Sequence, residues 1–341
     1  MKLIIQIPCF NEEHTLPATI NALPKKIPGI DEIEYLVIND GSTDRTVAVA
    51  RSLGVHHIIG FPNNRGLAKC FIAGIDACLR LGADIIVNTD GDNQYNGADI
   101  ARLVQPLLSG KAEIAVGDRQ VDSIEHFSFV KKKLQKIGSW IVRLASGSNV
   151  VDTTSGFRAF TREAAMRLNV VSDYSYTLET LIDAGCRKMA IANVPVRINK
   201  PLRKSRLIPS TSAYIKNSAS TIMRIYSMRQ PLKVFLTLSG LFSLAGIILI
   251  IRYLYYYFSG SGSGHMQSLI LAAILIIVAV QLAAFGLLSD AISASRKVND
   301  EILYRLKRIE YDKMDRIIAG NDFFLEASAT KSVPFTARPK D

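Results

Sequence analysis

A chain of 341 residues, 48% of them hydrophobic, has room for one large domain and an appendage, and its apolar residues are unevenly spread. Its four cysteines, Cys9, Cys70, Cys78 and Cys186, are dispersed without C-x-x-C spacing, which favours reduced, buried thiols in a cytosolic domain. A net charge of +11 calls for anionic partners such as phosphates or lipid headgroups, while the sequence carries no internal repeat and no nucleic-acid motif.

In chain order, residues 3–7 (Leu-Ile-Ile-Gln-Ile) read as a buried strand, so no signal peptide is expected before them. The strand ends in Pro8-Cys9-Phe10-Asn11-Glu12-Glu13 and runs into a helix near Thr15. Residues 35–39 predict a second strand ending in Asp40-Gly41-Ser42-Thr43-Asp44, where Gly41 suits a tight turn and Ser42 or Thr43 can cap the next helix. A short third strand falls at 56–59, and Asn63-Asn64-Arg65-Gly66 opens a helix over 67–81. A fourth strand over 85–89, a helix over about 98–108 and a fifth strand over 113–116 follow. This alternation implies a mostly parallel, Rossmann-like α/β sheet.

The fourth strand ends in Asn88-Thr89-Asp90-Gly91-Asp92-Asn93-Gln94-Tyr95. Strand carboxyl ends are where open α/β sheets bind ligands. Two carboxylates one residue apart can share a divalent cation, which also takes phosphate oxygens, and Gln94 offers a third oxygen. An Asp-x-Asp alone is also common in ordinary turns. Asp40, taken alone, is a helix cap. Arg119, in Gly117-Asp118-Arg119 at another strand end, is a surface residue unless a metal site lies beside it, where its fork suits a diphosphate.

Taken together, the Pro8–Glu13, Asn39–Asp44, Asn64-Arg65-Gly66 and Asp90-Gly91-Asp92 motifs resemble the family 2 glycosyltransferases with a GT-A fold. Asp152-Thr153-Thr154-Ser155-Gly156-Phe157-Arg158-Ala159-Phe160 is similar to the polyprenyl-phosphate branch, which includes dolichol-phosphate mannose synthases. The resemblance covers about residues 1–210, in order and at similar spacing. It implies that Pro8, Glu12 and Asp40 contact the nucleoside. It also implies that Asp90 and Asp92 hold the diphosphate through Mg2+ or Mn2+; the Gln94 oxygen, read from the residues alone, is the third candidate metal contact. Arg119 and Asp152 join Asp90 and Asp92 as candidate catalytic residues, Asp152 orienting a sugar hydroxyl or touching the metal's surroundings, unless it is only a turn or a cap. Relatives that glycosylate hydroxyls tend to carry Glu-Asp near a helix over about 174–185, the Asp acting as base. Here the pair is Glu179-Thr180, with Glu179 an expected nucleotide-sugar contact. The change fits a phosphate acceptor, which needs no deprotonation, its second pKa being about 6.

Residues 127–144 predict a basic helix with Lys131-Lys132-Lys133 and the only Trp, Trp140. It is either a solvated face or a cationic wall for an anionic acceptor, with Lys131 and Lys132 on the phosphate. A last strand at 189–198 leads into Lys200-Pro201-Leu202-Arg203-Lys204-Ser205-Arg206, where Arg203, Ser205 and Arg206 are candidate phosphate contacts. The alternative is a basic patch on anionic lipid. Residues 210–229 suit an interfacial amphipathic helix or ordinary core.

Two apolar runs, 234–251 and 268–288, are each close to the length that crosses a bilayer. Tyr253, Tyr255, Tyr256 and Tyr257 form an aromatic belt between them. Lys and Arg flank the outer sides and are missing from the loop, so both termini and the catalytic domain are expected in the cytosol. Residues 296–318 predict a charged amphipathic helix whose apolar side, Val298, Ile302, Leu306 and Ile309, would meet a second subunit or the catalytic domain. Four regions follow: a transferase domain over 1–210, a juxtamembrane segment over 211–231, two spans over 232–289 and a helical tail over 290–341.

The leading expectation is an inverting, metal-dependent transfer of a hexose from a nucleotide sugar, first of all UDP-glucose, to undecaprenyl or dolichyl phosphate at the bilayer. A homo-oligomer fits the tail, and nucleic acid is not an expected partner. A processive polysaccharide synthase would carry Gln-x-x-Arg-Trp after the core, and Trp140 follows Gly138-Ser139 instead. A non-catalytic scaffold with a degenerate transferase domain fits poorly with an intact Asp90/Asp92 pair.

Overall fold

The computed structural model describes residues 1–120, 143, 147, 150–170, 176–200, 223–224, 226–227, 230–260 and 266–320, with side chains in the last stretch through 314. Among these, β1 (Lys2–Cys9), β2 (Glu32–Asp40), β3 (His57–Phe61), β4 (Ile85–Asn88), β5 (Ile114–Asp118), β6 (Arg158–Thr161) and β7 (Ile191–Pro195) form one sheet. Its order is β3-β2-β1-β4-β6-β5-β7. All pairings are parallel except those of β6, which runs antiparallel between β4 and β5. The mostly parallel expectation therefore holds.

The helices α1 (Leu16–Ala22), α2 (Thr46–Ser52), α3 (Leu67–Arg80), α4 (Ile100–Leu108), α5 (Arg162–Arg167) and α6 (Tyr176–Cys186) cover both faces. On one face Ile4, Leu36, Ile38 and Ile86 pack with Phe71, Ile75 and Leu79 of α3. On the other, Leu3, Ile5, Val37 and Val87 meet Leu16 and Ile20 of α1 and Leu103 and Leu107 of α4. Successive β1 residues thus feed opposite layers, as the two-residue strand period requires. Each fully buried aliphatic side chain contributes about 1.5–3 kcal/mol.

Three local readings change. Ser42 and Thr43 do not cap α2; Asp44 Oδ1 accepts from Thr46 N at 2.9 Å instead. The 152–160 motif, read as an acid and a turn, also contains strand β6. The second apolar run and the tail helix are one helix, α8 (Met266–Gly320), packed along α7 (Pro231–Phe258). Both helices are long and apolar enough to cross a membrane, and only 6% and 17% of their most apolar windows are buried, unlike soluble core helices. Past the apolar run, α8 turns Asp300, Tyr304 and Tyr311 inward against the domain. The expected contact line of Val298, Ile302, Leu306 and Ile309 faces outward, exposed.

Candidate active site

The crevice opens beside β1, whose neighbours β2 and β4 are reached by connections that depart to opposite sides. Pro8 lies near the end of β1, Asp40 ends β2, and the Asp90–Asp92 turn follows β4. Because β6 is antiparallel, its leading residues 152–157 come to this same edge, as does Arg119 just after β5. The topology therefore gathers Pro8, Glu12, Asp40, Asp90, Asp92, Arg119 and Asp152 at one edge.

Asp40 is buried and clamps a loop: its two oxygens accept from Arg65 N at 2.7 Å and Gly66 N at 3.0 Å. Gly41 has φ +67°, and a Cβ there would lie 2.4 Å from the Asn63 carbonyl carbon, so this turn needs glycine. The first two loops are stitched together by Asn11 N to Ser42 Oγ (3.0 Å), Thr43 N to Asn11 Oδ1 (2.8 Å) and Glu12 N to Thr46 Oγ1 (2.8 Å). Thr15 Oγ1 lies 2.6 Å from Glu12 Oε2 and 2.9 Å from the Gly91 carbonyl, joining the first loop to the acidic turn.

In that turn Asp92 Oδ1 accepts from Gln94 N at 3.1 Å. Gly156 faces Asp90 across the edge: a Cβ would fall 3.2 Å from both Asp90 oxygens and 2.9 Å from the Tyr176 hydroxyl. Gly156 N donates to Tyr95 OH at 3.1 Å, and Asn88 Nδ2 donates to Gly156 O at 2.8 Å. Asn88 Oδ1 in turn accepts from Gln6 Nε2 at 2.9 Å. Burial lifts the Tyr95 phenol to about 12, so it stays neutral.

Arg119 and Asp152 form one buried bidentate pair, with Nε to Oδ2 at 2.6 Å and Nη2 to Oδ1 at 2.9 Å. Arg119 Nη2 also donates to Thr154 Oγ1 at 2.6 Å. Burial works to raise the Asp152 carboxyl, and the Arg119 guanidinium outweighs it, holding Asp152 below the usual carboxylate range. Two residues expected to act separately, on diphosphate and on sugar, thus first engage each other.

Arg158 is fully buried and braces the same loop. It donates to Ser155 O (2.9 Å), Thr153 O (3.0 Å), Thr177 O (2.8 Å) and Thr180 Oγ1 (2.6 Å). Burial pulls its pKa down to about 10, which leaves it charged at neutral pH. Thr180 Oγ1 also lies 2.8 Å from Tyr176 O, so the residue at the expected base position is occupied in holding Arg158. Glu179 is buried on α6.

Sequence reasoning missed Asn88, Tyr95, Gly156, Tyr176 and Asn199. Asn199 Nδ2 donates to Asn93 O at 3.0 Å, and Asn199 N to Gln94 O at 2.9 Å, so the chain leaves β7 pinned to the acidic turn. An Asn ending an apolar strand and a Gly-Phe-Arg run were the available signals. Lys131, Lys132, Arg203, Ser205 and Arg206 lie outside the described residues. Among the described residues no group of three His, Cys, Asp or Glu could hold a metal unaided. A cation at Asp90 and Asp92 would draw further ligands from a diphosphate, as Mg2+ sites commonly do. The space that Gly156 leaves at the Asp90 carboxylate fits that use.

Residues 4–168 match the family model Glycosyl transferase family 2, and residues 230–295 match GtrB C-terminal hairpin. The chain is 31% identical over 215 residues to the UDP-N-acetylglucosamine–dolichyl-phosphate N-acetylglucosaminyltransferase of Methanococcus voltae, covering 56% of this chain and 83% of that enzyme. It is 25% identical over 206 residues to the polyprenol monophosphomannose synthase of Mycolicibacterium smegmatis, covering 57% of this chain and 76% of the relative. Among solved structures, glucosyl-3-phosphoglycerate synthase of Mycobacterium tuberculosis, in complex with Mn2+, UDP-glucose and phosphoglyceric acid, superposes with a TM-score of 0.54 at 22% identity. The match covers 66% of this chain and 80% of that one, and is a likeness of fold, the GT-A fold.

Proposed function

This chain belongs to glycosyl transferase family 2, and from that premise we propose that it transfers a hexose from a nucleotide sugar to a polyprenyl phosphate at the membrane surface. The observation that carries this reading is the Asn199 tie: Asn199, which precedes the segment leading in sequence to the apolar hairpin, is hydrogen-bonded to Asn93 and Gln94 beside the Asp90/Asp92 pair. Two relatives with this domain are named for dolichyl- and polyprenol-phosphate transfer, and the hairpin match supports the membrane part.

Pro8, Glu12 and Asp40 frame the nucleoside pocket, Asp40 by fixing the 63–66 loop. Asp90 and Asp92, with Gln94, would hold Mg2+ or Mn2+, which when bound supplies positive charge to the departing diphosphate. Arg119 adds a fixed cation within the same field, kept in orientation by Asp152. An acceptor phosphate oxygen attacks the anomeric carbon, the bond to the nucleoside diphosphate breaks on the opposite face, and the configuration inverts. The attacking oxygen is already anionic near pH 7. No general base is required, in keeping with Thr180 being occupied by Arg158. With α7 and α8 as spans, enzyme and lipid would share one plane, which raises effective concentration without altering bond breaking. Lys/Arg asymmetry around them supports a cytosolic domain with both termini cytosolic.

UDP-glucose is the first donor to test, ahead of GDP-mannose and other UDP-sugars. The test is a screen of nucleotide sugars with purified protein in detergent, scoring nucleoside diphosphate release with and without undecaprenyl phosphate. Release that depends on the lipid phosphate supports the reading. Release at the same rate without it, for every donor, overturns it.

A further inference from the structure

Neither family match extends past residue 295, yet α8 runs unbroken to Gly320. This extension grips the domain. Asp300 accepts from Asn169 Nδ2 at 2.9 Å and from Arg187 Nη2 at 3.0 Å. Tyr304 OH donates to Glu163 Oε1 at 2.6 Å, and the Arg167 guanidinium sits 4.0 Å from its ring centroid. Lys307 Nζ donates to Leu168 O at 3.3 Å. Glu310 pairs with Arg80 at 2.8 Å, and Tyr311 OH donates to Asp76 Oδ1 at 2.6 Å.

Positions 300, 304, 307 and 311 recur on one helix face. At 1.5 Å per residue they spread the grip over about 16 Å, roughly three turns. A single contact would act as a hinge; a three-turn grip fixes rotation as well as height. Asp76 and Arg80 lie on α3 and Glu163 and Arg167 on α5, so the hold is on the helical layer covering one face of the sheet, where Tyr304 and Tyr311 join its core. The acidic turn is tethered separately, through Asn199.

Resting on the membrane reading above, we infer that the polar half of α8 is a strut that sets the height and rotation of the active site over the bilayer. Transfer to a membrane-embedded acceptor then depends on the length and phase of this helix, whereas transfer to a detached acceptor does not.

Two insertions between Ala294 and Ser295 test this. Seven alanines raise the domain by about 10 Å and nearly keep its phase, whereas two alanines turn it by about 200°. In proteoliposomes, energy transfer from a dye on Ser52→Cys to a headgroup dye should report the seven-residue insertion as a distance longer by about 10 Å. An unchanged distance overturns the strut. In rate assays, the two-alanine insertion should cut transfer to undecaprenyl phosphate in vesicles at least ~10-fold, as expected when reacting groups are misplaced. Transfer to a ten-carbon isoprenyl phosphate in solution should stay within about twofold, because that acceptor is not held by the bilayer. Equal effects on both acceptors overturn the inference. Tyr304→Ala with Tyr311→Ala, which loosens the grip without changing helix length, should show the same bias against the vesicle acceptor. If the unaltered protein used neither acceptor, the proposed function would fall, while the distance measurement would still decide the strut.

Discussion

Gly156→Ala adds one methyl group and removes no proposed ligand. The new Cβ would lie 2.9 Å from the Tyr176 hydroxyl and 3.2 Å from each Asp90 oxygen. The backbone cannot retreat easily, since Gly156 N donates to Tyr95 and its carbonyl accepts from Asn88. Overpacking of this kind costs about 1–3 kcal/mol. Asp90 must yield by a few tenths of an ångström, and since a 1 Å misplacement at a reacting centre costs ~100-fold, turnover should fall about tenfold. Urea unfolding and transfer rate, measured on the same preparation, separate the two effects. Adding Tyr176→Phe removes the tighter contact, at a cost of about 1 kcal/mol for its hydrogen bond with Asn88. The double variant should regain packing stability relative to a simple sum of the two changes, but not turnover, because Asp90 remains crowded. Turnover within about twofold of the unaltered protein in Gly156→Ala would refute a role that depends on the position of Asp90.

Asp92→Ala should unfold close to where the unaltered protein does yet transfer at less than about a tenth of its rate in saturating Mn2+, and EDTA should stop the unaltered enzyme, as a metal held by two carboxylates and substrate phosphates requires. Burial pushes the Glu34 carboxyl up, but His57 and Lys2 outweigh it and hold it at about 2. Its contribution to stability is complete above the ordinary carboxylate range and is lost as pH falls toward 2, so acid titration from about pH 4 to 2 should cost Glu34→Gln less stability than the unaltered protein. Arg203→Lys and Arg206→Lys, in the segment just past Asn199, should lose much of their turnover at saturating donor and acceptor if bidentate contacts hold phosphates there. Near-normal turnover in both would favour simple attraction to anionic lipid, worth about 1 kcal/mol for either residue.

The strands at 3–7, 35–39 and 85–89 were legible because parallel strands covered on both faces are continuous apolar runs. The acidic turns were legible because strand ends line the crevice in such sheets. β6 was not, since Arg158-Ala159-Phe160-Thr161 is too short to show a period, and its direction is set by neighbours distant in sequence. The meeting of Arg119 with Asp152 needs that antiparallel insertion and so left no local trace. The burial of Arg158 was not legible because its acceptors are three backbone carbonyls and one hydroxyl, which composition does not display. On α8 the apolar line at 298, 302, 306 and 309 drew the eye, whereas the contact is made by two tyrosines with polar neighbours. Their rings bury well and their hydroxyls find carboxylates, a combination that hydrophobic periodicity undervalues.

The most direct measurement is the chemical fate of the sugar in a single turnover. Purified protein in proteoliposomes with undecaprenyl phosphate would receive a nucleotide sugar labelled at the anomeric carbon, and the lipid fraction would be analysed by carbon and phosphorus NMR. The account predicts the label in a glycosyl phosphodiester on the lipid, with the anomeric configuration inverted relative to the donor. Label recovered as free sugar, as a polymer, or as a lipid product with retained configuration would contradict it.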